Sequence, residues 1–109
     1  MKQIQYILIA LLCVPLFAQQ TYVPDDNFEA YLEANGMGNG IANDDSVTTA
    51  NINTVEGLSV IGLGITSMTG LEDFTALIYL DCRSNQLTSL DLSANTALTE
   101  LDCSGNPLT

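Results

Sequence analysis

One eleven-residue segment occurs twice near the C-terminal end, and this repetition constrains the fold more than any other feature. LIYLDCRSNQL begins at Leu77 and returns as LTELDCSGNPL at Leu98, an offset of 21 residues. Both copies share three leucines, an Asp-Cys pair and an asparagine at the same positions. Self-similarity at a fixed period of about 20 to 50 residues is typical of stacked repeat proteins.

Each copy contains a short pattern that alternates apolar and polar residues. Leu80 and Cys82 flank Asp81, and Leu101 and Cys103 flank Asp102, which is the period of a half-buried strand. One repeat cannot bury its apolar side alone, so successive turns stack with strands ~4.8 Å apart. The pattern therefore predicts short parallel strands whose leucines form one column.

The shared asparagines, Asn85 and Asn106, fall where the chain leaves each predicted strand. Their amides can bond backbone groups that no regular ladder satisfies at such a corner. We therefore predict a structural role for both residues.

Between the two copies lies a half-length echo of the same pattern, formed by Leu87, Leu90, Leu92 and Asn95. It indicates a second short extended segment on the other side of each turn.

The preceding turn has a different spacing. Its apolar residues recur every third position, which favours a 3₁₀-like return: Ile65, Met68, Leu71, Phe74 and Leu77. Counting back 22 residues from Leu80 reaches Leu58, which predicts one more turn that begins near Val55.

The N-terminus has the composition of a secretory signal. Lys2 precedes an apolar run over 6–17, and Ala18 provides a small residue for cleavage. The run is shorter than the ~20 residues of a membrane helix. We predict a signal peptide over residues 1–18 and no membrane insertion after its removal; a retained signal anchor is the alternative.

The charge balance is strongly acidic. Thirteen Asp and Glu residues face only Lys2 and Arg83, for a net charge of −11, and histidine is absent. Such a surface disfavours nucleic acid and anionic membranes and favours soluble or cationic partners. The alternative is that the acidity only keeps an exported protein soluble.

A helical cap is predicted before the repeats. The segment from Thr21 to Asn35 has acidic residues at its start, beginning at Asp25, and Gly36 can end a helix. A Gly/Asn/Asp-rich loop follows, and Ala50 and Ile52 then alternate as in a strand.

Both copies of the repeat fit the leucine-rich-repeat template L-x-x-L-x-L-x-x-N-x-L, with Cys in the third apolar position. The runs 47–58 and 62–72 resemble the cap and first repeat of internalin-like bacterial surface proteins. This resemblance spans about residues 20–109. It implies an α/β fold, a right-handed leucine-rich-repeat solenoid of short parallel strands with 3₁₀ or extended returns, behind a small helical cap. It also implies a concave strand face that binds protein or glycan.

The expected organisation is a signal peptide (1–18), a helical cap (19–46) and about three leucine-rich repeats (47–109). The chain reaches Thr109 directly after half a repeat. We therefore expect that further repeats are missing, and the resemblance implies a C-terminal surface-sorting or anchoring segment.

Cys82 and Cys103 occupy equivalent positions on adjacent turns, so a disulfide and a pair of buried thiols are both open. Parallel side chains in register favour a ladder of thiols. Two thiolates without histidine do not complete a zinc site.

The loop from Asn39 to Asp45 is acidic enough to suggest calcium, with Asn43, Asp44 and Asp45 as the residues to test. Ile41 breaks the alternation of oxygen ligands that an EF-hand needs. We therefore predict a solvated loop, with no metal and no cofactor.

Catalysis has little support. Without histidine the commonest general base is missing. Asp81 and Asp102 stack like a carboxylate dyad, but their strand positions are predicted to face outward and to be exposed. The sequence predicts a protein that is not an enzyme.

What remains is a binding face. Alternation turns Ile61 and seven further residues outward on the predicted strands, and the seven are the predicted binding residues: Ser59, Tyr79, Asp81, Arg83, Glu100, Asp102 and Ser104. Tyr and Arg are the residue types most often found as energetic anchors in interfaces. We predict a secreted or surface-attached recognition or adhesion module. The alternatives are a non-catalytic targeting appendage of an exported hydrolase and a purely structural repeat segment.

Overall fold

The computed structural model describes residues 18–109, so the predicted signal peptide lies outside the described residues except for Ala18. A small antiparallel sheet pairs β1 (Gln20–Tyr22) with β2 (Ser46–Thr48). A parallel sheet follows in the order β3 (Gly57–Ser59), β4 (Tyr79–Asp81), β5 (Glu100–Asp102). The helix α1 (Asp26–Ala34) and two 3₁₀ helices, Thr49–Asn51 and Leu71–Asp73, complete the described elements. None of the helices among residues 18–109 has the length and apolar character needed to cross a membrane.

Helix α1 begins at Asp26, which confirms the predicted capping start at Asp25, but the prediction that the helical segment extends back to Thr21 is wrong. The Asp25 side chain caps the helix by accepting hydrogen bonds from the amides of Asn27 and Phe28. Thr21 is instead buried in β1, next to the exposed Tyr22, and the strand pairs with β2. Residues 20–22 form a strand because they pair with β2, which follows the loop after α1. Helix-start signals in the sequence do not reveal this distant partner.

The predicted strand around Ala50 and Ile52 is also wrong. Thr49–Asn51 is a 3₁₀ helix, because the amides of Ile52 and Asn53 both donate to the Thr49 carbonyl at 3.1 and 3.0 Å. Ile52 still enters the core, so burial of one apolar side chain does not require an extended backbone.

The cap is attached to the first turn through Asp25. One carboxylate oxygen, Oδ2, accepts from the Thr66 amide at 2.8 Å, the Thr66 hydroxyl at 2.9 Å and the Ser67 amide at 3.2 Å. Burial by itself raises the pKa of Asp25, but the hydrogen bonds from Phe28, Thr66 and Ser67 outweigh it, so the pKa is below its ordinary value. A single ionised side chain therefore both caps α1 and fixes the first return segment.

The register of the parallel sheet confirms the repeat offsets. Leu58 pairs with Leu80, and Leu80 pairs with Leu101, which are offsets of 22 and 21 residues. Leu58 and Leu80 are buried, and Leu101 is 45 % exposed on the last strand. The three leucines form the predicted column.

The core runs from the cap into the repeats. The rings of Phe28 in α1 and Phe74 in the first return stack with their centroids 6.2 Å apart. Fifteen buried apolar side chains form one cluster: Val23, Phe28, Leu32, Val47, Ile52, Leu58, Val60, Ile65, Met68, Leu71, Phe74, Leu77, Leu80, Cys82 and Leu87. The cap thus covers one end of the leucine column.

The 3₁₀-like return is confirmed, since every third residue from Ile65 to Leu77 is buried around the helix Leu71–Asp73. Gly70 precedes this helix with φ of 107°, and a Cβ there would lie 2.7 Å from Val23 Cγ2. Only glycine fits this contact between return and cap. The later segment around Leu90 forms no strand in the part of the chain that the structure describes.

Candidate functional site

The outward side chains of β3, β4 and β5 lie in three rows across the sheet. Residues at the same place on successive strands are neighbours, as the strand register shows. The alignment continues past the strand ends, where the Gly62 amide donates to the Arg83 carbonyl and the Ser84 amide donates to the Ser104 carbonyl. We call this surface the strand face, and its nine members by row are Gly57, Tyr79 and Glu100; Ser59, Asp81 and Asp102; Ile61, Arg83 and Ser104. All seven predicted binding residues are on it, and sequence analysis left Gly57 and Ile61 out of the predicted set.

Asp81 differs from the expectation that it is exposed. It is only 3 % exposed, although it lies on the outward side of β4. Its oxygen Oδ2 accepts from the Tyr79 hydroxyl at 3.2 Å and lies 3.3 Å from Arg83 Nε, and Oδ1 accepts from the Arg83 amide at 3.3 Å. Asp81 lies between Tyr79 and Arg83 along the chain and between Ser59 and Asp102 on the neighbouring strands, and a pattern of alternation cannot show this enclosure.

Arg83 links two turns. Its Nη1 lies 3.7 Å from Asp102 Oδ2, while its Nε faces Asp81. The Asp102 carboxylate also accepts from the hydroxyl and amide of Ser104 at 2.7 and 3.1 Å, and these bonds lower its pKa. The contact with Asp102 is long and exposed to solvent, so it adds little stability and its geometry matters more than its energy.

Tyr79 presents its ring beside Gly57. A Cβ built on Gly57 would lie 3.8 Å from Tyr79 Cδ1, so the glycine leaves room for the ring. Desolvation and the hydrogen bond to Asp81 raise the pKa of Tyr79. The phenol therefore stays neutral at physiological pH and acts as a donor with a fixed direction.

The corner asparagines carry dense hydrogen bonding. Asn85 accepts from the amides of Leu63 and Ile65 and donates to the carbonyls of Val60, Cys82 and Arg83. Its five bonds join two turns.

Asn106 repeats the arrangement one turn later with four bonds. Asn95 joins the returns by donating to the carbonyls of Leu71 and Phe74. These geometries are what a structural role requires.

Both cysteines of the repeats are free thiols in the structure. Cys82 is buried, and burial, followed by the proximity of Cys103, raises its pKa to about 11. Its thiol is protonated at neutral pH and is a poor nucleophile.

The acidic loop is held by two glutamates that sequence analysis did not select. Glu29 is fully buried, and its carboxylate accepts from the amides of Asp44 and Asp45, each at 3.1 Å. Glu33 accepts from the amides of Asn39 and Gly40, each at 2.9 Å. The only sequence signal was the i, i+4 spacing of two acids on α1.

Carboxylates gather at this loop. Oxygens of Asp26, Glu29 and Asp45 lie within 4.8 Å of one another, as do those of Glu29, Glu33 and Asp44. Burial, and then the neighbouring Asp44, raise the pKa of Glu29. Carboxylate oxygens are the ligand type that Ca²⁺ prefers. Here, however, each Glu29 oxygen already accepts a hydrogen bond from a loop amide. Asn43 lies in the same loop with a positive φ of 57°.

A groove of about 350 Å³ lies between the return segments of the first two turns. Hydroxyls and two carboxylates line it, above Met68 and Leu90: Thr66, Ser67, Thr69, Glu72, Ser89, Asp91 and Ser93. None of these groups matches a predicted site residue.

Comparison with known proteins agrees with this geometry. A family model described as Leucine Rich repeats (2 copies) matches residues 75–109. The chain is 38 % identical over 75 residues to Internalin J of Listeria monocytogenes serotype 4b (strain F2365), a match that covers 69 % of this chain and 8 % of the relative.

Two solved structures from the same species extend the match. The functional domain of InlJ, described as including a cysteine ladder, has a TM-score of 0.70 and 38 % identity over 87 % of this chain and 22 % of that one. Internalin C2 of strain 4b F2365 has a TM-score of 0.68 and 33 % identity over 87 % of this chain and 43 % of that one.

Parallel strands in a leucine column, asparagine corners and 3₁₀ returns define a leucine-rich-repeat solenoid. Within that class, the cap, the repeats and the matches make this chain an internalin-like leucine-rich-repeat protein. It spans less than half the length of each of these relatives.

Proposed function

We propose that this chain is a secreted or surface-attached recognition module that binds a partner through the strand face, without chemistry of its own. The observation that supports it best is the arrangement of Tyr79 and Arg83. Both are exposed, at 37 % for the Tyr79 residue and 48 % for the Arg83 side chain, and both are tied to Asp81. Anchors that are already ordered lose less conformational entropy on binding.

The charge of the strand face indicates the kind of partner. Asp81, Glu100 and Asp102 carry three negative charges against the single positive charge of Arg83. A protein surface with basic and hydrogen-bonding groups complements this face. The resemblance also allows a glycan, which the experiment below distinguishes.

The size of the strand face sets the expected strength. Three strands ~4.8 Å apart give a patch smaller than the ~800 Å² per partner of a standard interface. We infer that this segment alone binds weakly and that multivalent display on a surface raises its apparent affinity.

The test is capture on arrays of extracellular proteins and of glycans, with the chain displayed at high density on beads. Replacement of Tyr79 and Arg83 by Ala should reduce capture at least about tenfold, because the two anchors are lost. The matched control is Tyr22→Ala, which removes a tyrosine that is 62 % exposed on the cap, away from the strand face.

Equal loss in the control and the double variant would contradict a specific role for the strand face. Capture of glycans but not of proteins would contradict the proposal of a protein partner, and the strand face would remain the proposed binding surface. Circular dichroism of each variant checks that the fold is retained.

A further inference from the structure

The strand face contains one carboxylate that is out of reach of a partner. Asp81 and Asp102 hold the same position in the repeat, yet Asp81 is 3 % exposed and the Asp102 side chain is 41 % exposed. A residue that a partner contacts must be accessible before binding. Asp81 is therefore unsuited to direct contact.

The contacts of Asp81 all go to the two anchors. Its Oδ2 accepts a hydrogen bond from the Tyr79 hydroxyl and forms an ion pair with Arg83 Nε at 3.3 Å, and its Oδ1 accepts from the Arg83 amide. One oxygen thus fixes the direction of both exposed side chains. Both side chains thus meet the same charged group, and contacts to an ionised carboxylate are stronger than contacts between neutral groups.

We infer that Asp81 is the positioning residue of the strand face: its buried carboxylate holds Tyr79 and Arg83 as one preset unit and does not itself meet the partner. This inference rests on the proposed function for its biological meaning. The charges that remain available to a partner are then those of Glu100 and Asp102. Recognition depends on Asp81 through the order that it imposes.

Arg83 provides a clean readout, because it is the only arginine in the sequence. In the ¹⁵N-labelled chain a single Nε–H signal reports its environment without any ligand. Asp81→Asn should shift this signal and speed exchange of the Nε proton about tenfold, since the buried carboxylate 3.3 Å from Nε loses its charge and no longer holds the guanidinium in place. The matched control Asp102→Asn should change exchange by less than about twofold, since it removes only a longer contact to Nη1.

A second variant tests the coupling without changing the charge. Tyr79→Phe removes only the hydroxyl that shares Asp81 Oδ2 with Arg83, so the Nε–H signal should shift. The titration of Tyr79 in Asp81→Asn should also move to lower pH, because desolvation still raises its pKa but the hydrogen bond to the carboxylate and the charge of Asp81 no longer add to it.

An unchanged Arg83 signal in both Asp81→Asn and Tyr79→Phe would overturn the inference. If Asp81→Asn does not fold, the result of Tyr79→Phe decides alone. Failure of the wild-type chain to capture any partner would contradict the proposed function, and these ligand-free signals would still show whether Asp81 orders the face.

Discussion

The turns built on β4 and β5 contain the same Leu-Asp-Cys-x-x-Asn motif but differ in burial. In the β4 turn, Leu80 and Cys82 are fully buried, and in the β5 turn, Leu101 is 45 % exposed and Cys103 is half-buried. The β4 turn has a neighbouring strand on each side, whereas β5 has one neighbour among the described residues. An identical motif therefore has different energetics because of what stacks against it.

The largest difference is expected for the leucine column. Leu80→Ala leaves a cavity between two turns and should lower the free energy of unfolding by about 3 kcal/mol, whereas Leu101→Ala should lower it by less than about 1 kcal/mol. Urea unfolding of the two variants measures this. Equal losses would show that β5 is packed as tightly as β4.

The second-largest difference in the free energy of unfolding is expected between variants of the two corner asparagines. Asn85→Ala leaves the buried amide of Ile65 and the carbonyl of Val60 without their bonds, which should cost about 2–3 kcal/mol. Asn106→Ala should cost about 1 kcal/mol, because Asn106 is itself half-buried and none of its four bonds is fully buried, so water can replace them in part. Thermal unfolding compares the two, and a larger loss for Asn106 would reverse the comparison.

The two thiols should differ in reactivity. With its pKa raised from 9.0 to about 11, Cys82 has about a hundredfold less thiolate at about pH 8 than an unshifted thiol, so an alkylating reagent should modify Cys103 first. Peptide mapping by mass spectrometry identifies the modified residue. Because the Cys82 thiol loses its proton less readily in the folded protein than in the unfolded chain, the free energy of unfolding also depends on pH. The contribution of Cys82 to this free energy is fully present below pH 9.0 and is lost as the pH rises through about 11. Preferential labelling of Cys82 under native conditions would mean that the β4 turn opens.

Sequence reasoning succeeded where a feature depends on spacing along the chain. The offsets of 22 and 21 residues predicted which leucines pair, because stacked turns place equivalent residues side by side. The spacing of three from Ile65 to Leu77 predicted the 3₁₀ return, since local backbone geometry sets that period.

It failed where a feature depends on a distant partner. Strand β1 has only three residues, and its partner β2 is separated from it by α1 and the acidic loop. The burial of Glu29 likewise depends on amides that are 15 and 16 residues away. No local pattern encodes such pairings.

The sequence by itself determined the solenoid, its register and the residues that share the strand face, because a repeat carries its own geometry. Only the tertiary structure decided which member of that face is covered. Asp81 and Asp102 are equivalent in the motif, but Asp81 has a strand on each side and Tyr79 and Arg83 against its carboxylate. Asp102 has one neighbouring strand among the described residues and only a 3.7 Å contact with Arg83. Burial is a property of the surrounding side chains, so it appears only when the turns are stacked.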